Sequence, residues 1–120
     1  MKKTKPWGYH LMLDCQGMND NINSKTKLKE FVEDLVEQIK MEAVGKPVIK
    51  YLLEGHPNSG YSLVQLIQTS NITGHFMDQD RTAYIDVFSC KKFNPKIAEK
   101  VVKKHFGTTK ITATLITRRA

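Results

Sequence analysis

Cysteine is scarce in this chain, which has only Cys15 and Cys90. The two could pair in principle as a single disulfide, and no Cys-x-x-Cys pair exists to suggest a zinc or redox motif. Long apolar runs are also missing; none approaches the roughly 18 residues of a membrane span. The basic start Met1-Lys2-Lys3-Thr4-Lys5-Pro6 leads into no sustained apolar segment, so it lacks the pattern of a secretory signal. The expectation is a cytoplasmic protein that keeps both thiols reduced. The four histidines, His10, His56, His75 and His105, show no metal-ligand spacing, so no metal is expected. Internal repeats, low-complexity blocks, phosphate loops and a Ser-His-Asp signature are absent as well.

Acidic residues are outnumbered, 12 against 19 Lys and Arg, for a net charge of +7. The basic residues gather in 1–5, in 91–104 and at Arg118-Arg119. No Arg/Gly repeat, zinc-finger spacing or RNA-binding aromatic motif accompanies them. They read as solvated helix faces and tails, and nucleic acid is not the expected partner. With 120 residues, the expectation is one domain, 1–120, around a modest two-layer core. So short a chain encloses a deep pocket poorly, which points to a homodimer that completes its site across an interface.

The periodicities supply the elements. Residues 7–14 read as a strand and Asn19–Ser24 as a loop. Leu28, Phe31, Val32, Leu35 and Ile39 repeat at helical spacing within 26–42, with Ser24 or Thr26 as cap and Gly45 and Pro47 as stops. Strands are expected at 47–54, 61–69 and 82–90, the first two joined by the Gly/Pro-rich loop Glu54–Gly60. Asn94-Pro95 opens a second helix, whose buried face is Ile97, Ala98, Val101, Val102 and His105 or Phe106, and Gly107 closes it. Residues 109–117 form a last β-branched strand. The order βαβββαβ predicts an α+β two-layer sandwich, an antiparallel sheet with both helices on one face.

Strand parity then singles out chemistry. On a strand 61–70, Ser62, Val64, Leu66, Gln68 and Ser70 share one face. On 82–90, Tyr84, Asp86, Phe88 and Cys90 do the same. Neighbouring strands would bring Ser62, Ser70 and Cys90 together, and Gly74 offers a place to turn His75 back toward them. The alternative from spacing alone is ordinary strand hydroxyls and an inert buried thiol.

The runs Gly60-Tyr61-Ser62, Thr69-Ser70-Asn71-Ile72-Thr73-Gly74-His75 and Asp86-Val87-Phe88-Ser89-Cys90, with Gly8-Tyr9-His10-Leu11 and Asp14 upstream, resemble the bacterial S-adenosylmethionine decarboxylases. The resemblance spans Gly8 to about Ile116. It implies a proenzyme that cleaves itself between Thr69 and Ser70. Ser70 becomes a pyruvoyl cofactor, His75 acts as the processing base, and Ser62 supports it by hydrogen bonding. It further implies that the ketone condenses with the amine of S-adenosylmethionine and that Cys90 returns a proton after CO₂ leaves. A thiol suits that task because its ordinary pKa of about 8.5 leaves it mostly protonated near neutral pH. The product would donate aminopropyl groups for spermidine and other polyamines. Asp14 is the implied ribose contact, and Phe76, Tyr61 or Trp7 would offer an aromatic face to the sulfonium. Thr69 and Asn71 stand where the family has Glu and His, and Phe76-Met77-Asp78 replaces a Thr-aromatic-Pro-Glu run. These departures keep open the same scaffold acting on ornithine or arginine, or a non-processing homologue that serves as a basic binding module.

Overall fold

Alternating apolar and polar residues build strands, and two stretches of helical period pack across them. The computed structural model describes residues 5–120; the basic stretch at 1–4 lies outside the described residues. In chain order the elements are β1 (Gly8–Gln16), α1 (Lys25–Gln38), β2 (Ala43–Leu52), β3 (Gly60–Ile67), β4 (Ser70–Met77), β5 (Thr82–Ser89), α2 (Pro95–Phe106) and β6 (Lys110–Arg118). A 3-10 turn at Asp20–Asn23 occupies the expected loop before α1. The strands form one sheet in the order β2-β3-β4-β5-β1-β6, and every neighbouring pair is antiparallel. Both helices pack on the same face of this sheet, so the expected α+β sandwich is the one observed.

Parity sorts the side chains into two faces. Leu11 and Leu13 on β1, Leu63 and Ile67 on β3, Ile72 and Phe76 on β4, and Ala83, Ile85 and Val87 on β5 are buried beneath the helices. The intervening residues line the opposite, open face. They include His10, Met12 and Asp14, then Ser62, Val64 and Leu66, then Asn71, Thr73 and His75, then Tyr84, Asp86 and Phe88. Phe31 of α1 sits at the centre of the core, with ring centroids 4.8 Å from Phe106 and 6.2 Å from Phe76. The helices are also joined by charge. Asp34 accepts from His105 Nε2 at 2.7 Å and from Lys104 Nζ at 3.2 Å.

Two sequence expectations are corrected. The first concerns α1, which starts at the Ser24 cap, whose Oγ accepts from the Lys27 amide, but stops at Gln38 rather than near residue 42. Lys40 takes a left-handed φ of 61°. The Lys40 amide donates to Glu37 and the Met41 amide to Val36, which is a Schellman closure with lysine in the usual glycine position. Gly45 and Pro47, expected to stop the helix, lie instead at a register irregularity in the edge strand β2.

The second correction adds a strand. The chain turns at Gln68-Thr69, and β4 runs straight through Gly74. Gly74 is not a turn residue. A Cβ there would meet the Phe76 ring at 2.9 Å, so glycine leaves room for that ring beneath the sheet. Because β4 lies between β3 and β5, strands 61–67 and 82–89 are not neighbours.

Two outcomes follow for stability. Phe31→Ala empties the centre of the core and is expected to cost about 3–5 kcal/mol, read by urea unfolding. The bond from His105 holds the Asp34 carboxyl below its ordinary value of 3.8. Its contribution is therefore present above that value and lost as pH falls through the lower folded value. The acid-side fall in melting temperature should be shallower in Asp34→Asn.

Candidate active site

The turn at Gln68-Thr69 sets up the first group of candidate residues. It pairs Ser70 with Ile67 on β3 and with Ser89 on β5. At that pairing the backbone is strained, because Ser70 has a φ of 155°, a region that residues with a Cβ rarely enter. The carbonyl just before it, that of Thr69, accepts a hydrogen bond from the Cys90 amide at 3.0 Å. Asn71 Nδ2 donates to Ser70 Oγ at 3.1 Å.

Thr69 is fixed from its side chain as well. Ser89, fully buried, donates from Oγ to Thr69 Oγ1 at 2.7 Å, and Thr69 Oγ1 donates to Met41 Sδ at 3.4 Å. The Lys91 amide closes the cluster by donating to Ser89 Oγ at 3.0 Å. Ser89 was not predicted from sequence. Its signal was its place on the buried parity of β5, where a hydroxyl needs a partner.

Ser62 and His75 form a second group. They are direct cross-strand partners on the open face. Ser62 Oγ lies 2.7 Å from His75 Nδ1, and His75 Nε2 lies 2.7 Å from the Asn58 carbonyl oxygen. A carbonyl can only accept, so Nε2 carries a proton and, in the neutral ring, Nδ1 accepts from the Ser62 hydroxyl. Asn58 was also missed by sequence reading, since a backbone carbonyl leaves no trace in residue type.

The condition on which Ser62, Ser70 and Cys90 were expected to meet, neighbouring strands 61–70 and 82–90, does not hold, because β4 lies between them. Ser70 and His75 are five residues apart on one continuous strand, about 17 Å at 3.4 Å per residue. Ser70 and Cys90 lie at one end of the sheet and Ser62 and His75 at the other. The expected shared parity of Ser62 and Ser70 is also corrected: the turn at Gln68-Thr69 puts Ser70 in register with the buried Ile67 and Ser89, not with the open-face residues. A shallow hollow of about 310 Å³ lies at the second end, lined by Ser62, Thr73, His75, Tyr84 and Asp86 among others. A larger hollow of about 660 Å³ lies between the end of α1 and the start of α2, and it contains none of the predicted residues.

The remaining candidates separate clearly. Phe76 is fully buried against Phe31 and Phe106, so the expectation of a substrate contact is corrected: its ring belongs to the core. Tyr61 packs edge-on to Tyr51, with centroids 5.3 Å apart. Trp7 is exposed, 5.8 Å from Phe88 on the open face, where Arg118 lies over the Phe88 ring at 5.4 Å. His10, below the same ring, donates to Asp86 at 2.9 Å. Asp14 is exposed on the same face, paired in register with Tyr84 and Thr112. Among the described residues no cluster of His, Cys, Asp and Glu could hold a metal ion, and no helix is long and apolar enough to cross a membrane.

The two thiols differ sharply. Burial, aided by the Asp14 charge, pushes Cys15 up to about 12, whereas Cys90 is exposed. A thiolate is the reactive form, so Cys15 is inert near neutral pH.

Comparisons with known proteins converge. A family model described as S-adenosylmethionine decarboxylase matches residues 9–119. The chain is 30% identical over 106 residues to an S-adenosylmethionine decarboxylase proenzyme of Clostridium botulinum strain Hall, with 87% of each chain covered. It is 33% identical over 86 residues to the proenzyme of the Loch Maree strain, covering 71% of this chain and 70% of that one. The crystal structure of the adenosylmethionine decarboxylase from Aquifex aeolicus superposes with a TM-score of 0.80 at 20% identity, over 98% of this chain and 94% of that one. At that identity the likeness speaks for the fold.

Thiol titration of the folded, undenatured chain should therefore count one fast-reacting group. Cys90→Ser should abolish that reaction, and Cys15→Ser should leave it unchanged.

Proposed function

Because this chain belongs to the S-adenosylmethionine decarboxylase family, we propose that it is a self-processing, pyruvoyl-dependent decarboxylase of S-adenosylmethionine. The observation that carries this reading is the backbone at Ser70. A serine with φ of 155° directly follows a carbonyl that an amide already polarises. Strain of this kind, about 1–3 kcal/mol, is concentrated at functional positions.

The chemistry of the cut follows from these contacts. Ser70 Oγ attacks the Thr69 carbonyl carbon and gives its proton to a base. The Cys90 N–H faces the oxygen on which negative charge develops, as an oxyanion donor does. The Asn71 amide group steadies the attacking oxygen as its proton leaves. The C–N bond breaks, leaving an ester and a free amine. Removal of the residue 70 α-proton then expels the Thr69 carboxylate from Cβ. The enamine that remains takes up water and loses ammonia, so that residue 70 ends as a pyruvoyl group.

Position 70 suits that group. Once the chain is cut, the N–Cα bond whose rotation is strained no longer exists, and the strain goes with it. The pyruvoyl group would supply a carbonyl that takes up the electrons released as CO₂ leaves. Cys90 stands beside this position with an exposed thiol, and its Sγ is the group that returns the proton. Trp7 and Phe88 offer aromatic surface to a sulfonium at the same end of the sheet.

His75 is the proposed base, and within one chain it is about 17 Å along β4 from Ser70. The reading therefore includes a homodimer in which His75 and Ser62 of a second copy reach this Ser70. The open sheet face supports it. Val48, Val64, Leu66, Tyr84 and Ile116 are each between 43% and 56% exposed, on a face that no helix among the described residues covers. A second copy laid on it by a two-fold axis would cover this surface and form two composite sites.

Denaturing intact-mass spectrometry tests the cut. Two fragments, 1–69 and a second from position 70 blocked by a pyruvoyl group, are expected, and Ser70→Ala should stay whole and lose all decarboxylation. Release of CO₂ from S-adenosylmethionine, and not from ornithine or arginine, tests the substrate. A decarboxylase still fully active as Ser70→Ala would refute the pyruvoyl account.

A further inference from the structure

The Nε2 proton of His75 depends on a carbonyl delivered by a loop, and that loop is held by groups outside the proposed catalytic set. We infer that Asp78 is a positioning residue for His75, acting through Ser59 and the Asn58 carbonyl. The inference rests on the reading of His75 as the processing base and adds the device that keeps its ring in the useful tautomer.

Residues 53–59 leave β2 and return to β3. Leu53 and Gly55 have left-handed φ values of 60° and 80°. The loop is laced internally: the His56 amide donates to Leu53 O, the Ser59 amide to His56 O, and the Asn58 amide to His56 Nδ1 at 3.0 Å. None of these bonds ties it to the strand that carries His75. Asp78, the residue after β4, does so twice through Ser59, and a third bond ties it to Tyr51 on β2. Its backbone amide donates to Ser59 O at 3.0 Å. Its carboxylate accepts from Ser59 Oγ at 2.9 Å and from the Tyr51 hydroxyl. Gln79 adds a longer bond from its side-chain amide to His56 O at 3.4 Å.

The geometry makes this a clamp on one atom. Ser59 is 2% exposed and directly follows Asn58. Fixing Ser59 by main chain and side chain therefore fixes the Asn58 carbonyl, which faces His75 Nε2 at 2.7 Å. With Nε2 committed as donor, Nδ1 is left as the basic nitrogen on the Ser62 side. Without the clamp the Asn58 carbonyl loses its fixed position, and the ring is free to exchange its two tautomers or turn. The bonds from Tyr51 and Ser59 also hold Asp78 below the usual carboxylate range, so the acceptor is ionised at neutral pH. Charged acceptors make the stronger hydrogen bonds.

The test uses full-length protein. In the uncut Ser70→Ala background, nitrogen NMR of the His75 ring should show the Nε2-protonated tautomer. Adding Asp78→Ala should convert it to an averaged mixture. In the Ser70 protein, Asp78→Ala should slow self-cleavage on the order of ten- to a hundredfold, the scale of a misplaced catalytic group. Asp78→Asn, whose amide oxygen still accepts from Ser59, should recover most of that loss. If Asp78→Ala does not fold, Ser59→Ala, which removes the side-chain bond of the clamp, must shift the tautomer in the same direction. An unchanged tautomer in folded Asp78→Ala, or in Ser59→Ala where Asp78→Ala does not fold, overturns the inference, even if cleavage or melting temperature falls. A shifted tautomer in a chain that never cleaves would uphold the clamp and refute the processing role.

Discussion

The bond from the Cys90 amide to the Thr69 carbonyl, 3.0 Å long, ties the turn between β3 and β4 to the end of β5. Everything proposed for position 70 depends on it. It fixes the register in which Ser70 faces Ser89, and in that register the serine backbone is pushed to a φ of 155°. The buried Ser89 hydroxyl grips the Thr69 side chain, so the peptide cannot swing away to relax. A hydrogen bond to a carbonyl ordinarily stabilises a resting sheet. In the proposed self-cleavage the same donor lies where a developing oxyanion would need it. Strand pairing thus supplies both the constraint and the electrostatics, without a dedicated loop.

The straightness of β4 has the second large consequence. Nothing in Ser70–Met77 bends the strand, and Gly74 serves the Phe76 ring rather than a turn. The hydroxyl and thiol at one end and the imidazole at the other remain apart in a single copy. Asn71 and Phe88 beside the cut and Ser62 and His75 at the far end do share the open face, however, so a second sheet laid against it can bring one end over the other. The separation of the candidate groups and the half-exposed apolar side chains on the open face point to the same solution. The proposed clamp belongs to this division of labour. The His75 end has its own support in Asp78, Ser59 and Tyr51, independent of the strained turn.

Much of this was legible in the residues. Helix α2 could be read from Asn94-Pro95 through Gly107, because capping chemistry is local. Side-chain parity on β5 was correct because a half-buried strand alternates. The end of α1 was misplaced because Lys40 adopts the left-handed position that composition assigns to glycine. Strand β4 was missed because its alternation is broken by Gly74, whose purpose appears only when Phe76 is placed beneath it. Phe76 itself was drawn into the site by proximity in sequence to His75, while its parity puts it in the core. Asn58 and the Cys90 amide act through the backbone, and no residue type announces that. The long-range division of the site follows from strand order, which a single sequence leaves open.

Co-expression of two separately tagged variants, Ser70→Ala and His75→Ala, tests the central claim most directly. Neither variant should cleave alone. In a mixed dimer the His75→Ala chain keeps its Ser70 and meets the intact His75 of the other chain. The account predicts that this chain, and not the Ser70→Ala chain, is cut at 69/70. Two uncut chains in a purified mixed dimer would contradict it.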